Sequence, residues 1–176
     1  VNGDVFGNPN FIDYTYSIER SPDSVLNIYI LDVLEETRLL GQASFPWDDV
    51  TGVKGVMITQ TSLPQIGVGM QGKTLTHEVG HYFGLFHTFG NLQKYPDGCF
   101  PGDFILDTEP EQAIYYTCDD TIPSCPGNSA HKVYNYMSYG YDSCMTAFSR
   151  HQFWTMYRHA DIYNSFEISR ISPVNP

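Results

Sequence analysis

The sequence predicts an α/β (α+β) domain, and three observations predict it. Three short runs rich in β-branched and aromatic residues lie before residue 64, and a helical pattern follows them. A second helical pattern falls near the end of the chain. Between the two, residues 88 to 135 carry recurrent Gly, Pro, Asp and Asn and sustain no helical period. At 176 residues the chain has the length of one domain.

The run SVLNIYIL, residues 24 to 31, follows a Ser-Pro signal and reads as a buried strand. LLGQASF, residues 39 to 45, reads as a shorter and more polar edge strand ended by Pro46. GVMITQTSL, residues 55 to 63, reads as the third. IGVGMQG is a loop, because glycines recur through it. Thr74 or Thr76 is placed to cap a helix running to about Phe83, where Gly84 stops it. Ser149 is placed to cap a helix through RHQFWTMYRHADIY. The long irregular stretch needs external staples, and disulfides and bound ions are the obvious ones.

The 20 acidic and 9 basic residues leave a net charge of −11. That balance argues against nucleic acid, which needs a basic face. No run of 18 apolar residues exists, so no membrane-spanning helix is expected. The opening VNGDVFGNPN has neither a basic nor an apolar leader segment, so the expectation is a protein not exported or one whose leader has been removed. Cys99, Cys118, Cys125 and Cys144 form an even set, which reads as two disulfides and an oxidising, extracellular compartment. Read alone, they leave three connectivities open.

The most informative stretch is HEVGHYFGLFH, residues 77 to 87. On a helix His77 and His81 share a face, and two imidazoles at that spacing can bind one zinc. Glu78 follows the first ligand, where its carboxylate can reach a water on the open side of the metal. A continuing helix would rotate His87 away. Gly84 can break the helix and turn the chain back, making His87 a third ligand. Three protein ligands leave a fourth position open, as in catalytic sites.

At these residues the chain resembles the metzincin metallopeptidases, whose full zinc motif it carries. NYMSY, residues 135 to 139, is similar to their methionine turn, with Met137 beneath the imidazoles. Tyr139 lies two residues later, where several metzincins place a tyrosine that stabilises the tetrahedral intermediate. Within the metzincins the closest resemblance is to the pappalysins, through LNIYI, LLGQASFPW, GVMI, HEVGHYFGLFHTF, GDFILDTEPE and NYMSYGYDSCMTAFS. The resemblance implies a secreted zinc-dependent endopeptidase acting on proteins or peptides, with Glu78 as general base and Tyr139 as its catalytic partner. It also implies a twisted mixed sheet, an active-site helix above the cleft and an irregular, disulfide-stapled lower subdomain with a C-terminal helix. Residues 1 to 176 would then be one catalytic domain, with an upper subdomain over 1 to 87 and a lower one over 88 to 176.

The same resemblance implies the bridges Cys99–Cys125 and Cys118–Cys144. It implies a structural calcium site in GDFILDTEPE, with Asp103, Asp107, Thr108 and Glu111 as donors. Read from composition alone, that loop is equally an acidic solvated one. Gly41 and Ala43 on the edge strand would pair with an extended substrate. Asp142 would line a pocket beyond the scissile bond and select a basic side chain. His131, His151 and His159 carry no assigned role. Metzincins usually begin with a strand and a long backing helix, whereas only 23 residues precede Ser24 here and none forms an amphipathic helix. Truncation at the N-terminus, or absence of those elements, is therefore expected. Three rivals remain: a non-catalytic binding module or protease fragment that zinc merely holds together, a zinc peptidase whose third ligand is a distant glutamate, and a zinc-dependent amidase acting on small molecules.

Overall fold

A computed structural model describes residues 18–21, 24–31, 39–48, 54–64, 66, 69–90, 102–111, 113–125 and 133–163. Three strands, β1 (Ile28–Leu31), β2 (Gly41–Ala43) and β3 (Val56–Thr59), form a mixed sheet in the order β1-β3-β2. β1 runs parallel to β3 and β2 antiparallel to it, with Ile28 opposite Val56 and Gly41 opposite Ile58. Helix α1 (Lys73–Tyr82) packs on β2 and β3, and helix α2 (Arg150–Tyr163) closes the described chain.

The strands are shorter than their sequence patterns. The start of the first run is taken by a turn, in which Asn27 exchanges hydrogen bonds with the Arg20 backbone at 2.7 and 3.0 Å. The last residues of the third run coil into a 3-10 turn over Gln60–Ser62. All four residues of β3 are buried, as a central strand requires. The expectation of a buried β1 needs correction. On one face Ile28 and Ile30 are 44% and 55% exposed, because α1 lies mainly over β2 and β3, whereas Tyr29 between them is buried. The core that positions the site is small: Val56 and Ile58 of β3 against Tyr82, flanked by Leu75, Val79 and Phe83 of the α1 segment.

The cap expected from Thr74 or Thr76 also needs correction. α1 starts at Lys73 with Gly72 as its N-cap in the left-handed region, φ 80°, and no side chain of that residue to cap it. Asp142 does the capping from across the fold: its Oδ2 accepts the Gln71 and Lys73 amides at 2.7 and 3.1 Å. A carboxylate there answers both the free amides and the positive end of the helix.

α2 begins as its sequence indicates. Ser149 and Gln152 form a capping box, the Gln152 amide donating to Ser149 Oγ at 3.1 Å and the Ser149 amide to Gln152 Oε1 at 2.8 Å. Asp107 joins that cap, accepting the Ser149 hydroxyl at 2.6 Å and the His151 amide at 3.0 Å. The irregular region is stapled by the bridge Cys118–Cys144, whose Cα atoms lie 5.8 Å apart. Cys125 is also disulfide-bonded; the pairing expected with Cys99 lies outside the described residues, as does His131.

Candidate metal centre and cleft

The helix places His77 and His81 one turn apart, and the way it ends brings up the third histidine. Phe83 is the C-cap and Gly84 takes φ 89°. The Gly84 amide bonds to His81 O at 2.8 Å and the Leu85 amide to Gly80 O at 2.9 Å, the Schellman pattern. A side chain at residue 84 would be strained by that φ and would collide with the His159 ring. His159 docks there by donating from Nδ1 to Phe83 O at 2.9 Å, so α2 latches onto the end of α1. Nothing in the sequence around His159 signals that role.

The three Nε2 atoms form a triangle with edges of 3.0, 3.0 and 3.1 Å. Nδ1 of His77 lies 2.6 Å from Tyr136 O, and Nδ1 of His81 lies 2.7 Å from Leu85 O. A carbonyl only accepts, so both Nδ1 atoms carry the proton and both Nε2 lone pairs face the centre. Facing lone pairs at that spacing repel one another unless a cation lies among them. Zinc held tetrahedrally at about 2.0–2.1 Å needs ligand atoms about 3.3 Å apart, close to what is seen.

Burial pushes His77 down to about 3, helped by His81 beside it. Burial also lowers His81, and it lowers His87 well below the usual imidazole value. Neutral imidazole is the form that ligates a metal. Among the described residues, these histidines are the group whose donor atoms converge closely enough to share one ion.

The segment NYMSY supports two of the ligands through its backbone. Tyr136 O orients His77, and Met137 O accepts the amide of Thr88, the residue after His87, at 3.1 Å. Met137 is fully buried, its sulfur in the space beside Gly80 of α1. The segment is itself held by Asn135, whose Oδ1 accepts the Met137 amide at 2.8 Å.

Glu78, His77 and Tyr139 share the wall of a cavity of about 700 Å³. Glu78 is buried, and burial pushes its carboxyl up to about 8. Its side chain lies against β2 at Gly41, where a Cβ would stand 2.7 Å from Glu78 Cγ and 2.9 Å from Oε1. Tyr139 packs edge-on to His87 at 4.8 Å and stacks on Tyr116 at 5.7 Å. Burial first, then Glu78 and Tyr116, raises its phenol to about 12, which keeps it a neutral donor.

The other expected site residues divide. Gly41 and Asp142 line the same cavity as Glu78, whereas Ala43 packs against the core. Asp103 is buried, with Oδ1 accepting the Thr108 hydroxyl at 2.7 Å and the Ile105 amide at 3.0 Å, and with no partner for Oδ2 among the described residues. Burial, before any other cause, lifts it to about 6. Glu111 is fully buried and accepts hydroxyls from Thr88 at 2.8 Å and Ser138 at 3.1 Å. Asp107 commits both oxygens to the cap of α2. Tyr116, in the irregular stretch, and the Asn135–Gln152 pair carried no local signal. Their significance arises only from what they meet in space.

Similar proteins are known. A family model described as pregnancy-associated plasma protein-A, peptidase M43, matches residues 17–161. An extracellular metalloprotease 1 of Coccidioides posadasii is 37% identical over 152 residues, covering 81% of this chain and 52% of the relative. An extracellular metalloprotease of Arthroderma gypseum is 39% identical over 145 residues, covering 76% and 46%. The chain thus spans about half the length of the curated relatives it matches. Among solved structures, mature mirolysin of Tannerella forsythia with a cleaved peptide aligns at TM-score 0.70 and 26% identity, over 85% of this chain and 58% of that one. Mirolysin with a bound compound aligns at TM-score 0.72 and 26% identity, over 87% and 60%.

Proposed function

The chain belongs to the pappalysin family, the M43 peptidases, and on that premise we propose that it is the catalytic part of an extracellular, zinc-dependent endopeptidase acting on proteins or peptides. One observation carries the reading. Three neutral histidines converge on one point, with a buried carboxylate next in sequence to the first, at the wall of an open cavity.

His77, His81 and His87 would hold the metal. When bound, zinc supplies Lewis acidity, acidifying water and polarising a carbonyl. Glu78 takes the proton from the attacking water and later gives it to the leaving amine. Nearby divalent charge favours its ionised form, against the burial that raises it. The Tyr139 hydroxyl donates to the carbonyl oxygen as charge develops there.

Substrate binding is read from β2. Leu40 O accepts the Thr59 amide and the Ser44 amide donates to Gly55 O, so these alternate residues face β3. By the same alternation the amides and carbonyls of Gly41 and Ala43 face the open edge, where an extended peptide can add as a strand. The cavity's described lining includes Asp142 and no Lys or Arg, which suits a basic side chain after the scissile bond.

A calcium ion at Asp103 is the second part of the reading. A buried carboxylate oxygen without a partner is costly, and a hard cation answers it. Asp103 would be the first donor, with Thr108 beside it; Asp107 and Glu111 each place both oxygens in hydrogen bonds, Asp107 at the cap of α2 and Glu111 on Thr88 and Ser138.

The test compares the purified chain with a Glu78→Gln variant of equal zinc content on a denatured protein. Cleavage by the parent alone is expected. Equal cleavage by both would overturn the role of Glu78. No cleavage by either, at one zinc per chain, would favour a zinc-stabilised binding module or a protease fragment inactive by itself.

A further inference from the structure

A second surface borders the histidine triangle, outside the cavity just described. The Phe45 ring stacks on Trp47 with centroids 5.0 Å apart, and Phe86 lies 5.3 Å from Phe45 and 5.8 Å from Trp47. Phe104 extends the group, 6.1 Å from Phe86. The cluster touches the metal centre, because Phe45 packs edge-on to His81 at 5.6 Å. Yet Trp47, Phe86 and Phe104 are 41%, 39% and 68% exposed. Clustered aromatic exposure of this kind marks a binding surface more often than a solvated one.

Phe104 adds an independent sign. Its φ is 63°, the one positive value for a non-glycine among the described residues. A bulky residue is strained in that region, and such strain gathers at binding sites. The turn is held by Asp103, which accepts the Ile105 amide and the Thr108 hydroxyl around it.

The placement identifies the occupant. Leu39, Leu40 and Gly41 line the cavity where β2 begins, and Phe45 and Trp47 follow where it ends. Along α1 the order is the same: Thr74, His77 and Glu78 line the cavity, and His81 meets Phe45. Glu78 delivers its proton to the leaving amine, so the cavity it lines receives the residue after the bond. The cluster then faces the residues before it. Gly41 and Phe45 are four residues apart, about 13 Å at roughly 3.3 Å per residue. One extended peptide on β2 therefore reaches both.

We propose that Phe45, Trp47, Phe86 and Phe104 form a subsite for aromatic or large aliphatic side chains on the acyl side of the scissile bond, two to four residues before it. The inference rests on the peptidase reading above. Matched peptides carrying Phe, Leu, Gly or Glu at each of those positions are cleaved by the zinc-loaded chain and by Phe86→Ser and Phe104→Gly variants. Glycine suits the backbone at 104, so that variant keeps its fold. The parent should favour Phe or Leu over Gly about tenfold in kcat/KM at one position, chiefly through KM, and each variant should shrink that ratio severalfold. A parent indifferent at all three positions, or an equal preference in parent and both variants, overturns the subsite alone. No cleavage of any peptide overturns the peptidase reading and the subsite together.

Discussion

The side-chain amides of Asn135 and Gln152 exchange two hydrogen bonds, Asn135 Nδ2 to Gln152 Oε1 at 2.9 Å and Gln152 Nε2 to Asn135 Oδ1 at 3.2 Å. Both residues are buried. Asn135 Oδ1 also accepts the Met137 amide, and Gln152 Oε1 the Ser149 amide. One amide pair thus joins the start of α2 to the turn whose carbonyls hold His77 and Thr88. Gln152→Ala should cost roughly 1–3 kcal/mol for each buried polar group left without a partner. Urea unfolding measures it; a loss below about 1 kcal/mol would show that water or a local shift replaces the pair.

Gly41 makes room for Glu78. In Gly41→Ala the new Cβ would stand 2.7 Å from Glu78 Cγ and 3.0 Å from Met57 O, so the carboxylate must move. A displacement of about 1 Å at a catalytic group lowers turnover by about a hundredfold. The expected signature is a reduced kcat with unchanged zinc content and melting temperature. An unchanged kcat would mean that Glu78 works from another rotamer.

Asp103 links stability to pH. Its folded pKa is raised from 3.8 to about 6. A raised acid contributes stability that is fully present below about 3.8 and is lost as pH rises through about 6. In calcium-free buffer, Asp103→Asn should therefore be the more stable chain above about pH 6, by an order of 2–3 kcal/mol, with the gap closing below about pH 4. Calcium should reverse the order by stabilising only the parent. Parallel denaturation curves in chelator and in calcium across that pH range would show it. A gap independent of pH refutes the buried charge, and no response to calcium refutes the site.

The bridge Cys118–Cys144 closes a loop with a sequence separation of 26 and ties the segment after Tyr116 to the segment after Tyr139. By loop-closure entropy its removal should cost about 3–4 kcal/mol. A paired Cys118→Ser, Cys144→Ser variant, compared by thermal melting, tests that. Because Tyr116 stacks on Tyr139, a rise in KM should accompany the lost stability.

Local order determined what was legible beforehand. The turn spacing of His77 and His81, the helix break at Gly84 and the Ser149 cap all act within a few residues, where backbone geometry alone dictates the outcome. Three strands, two helices and a zinc-type triangle follow from such signals. The tertiary structure decided the rest. Asp142 caps a helix that begins 69 positions earlier, in place of Thr74 or Thr76. Asp107 serves the cap of α2, and His159 latches α2 onto α1 through Phe83. Exposure of Ile28 and Ile30 depends on which strands α1 covers, not on the apolar content of β1 itself. The physical reason is common to all of these. A polar group is satisfied by whatever partner the folded chain brings within about 3 Å, and separation along the sequence puts no limit on that choice.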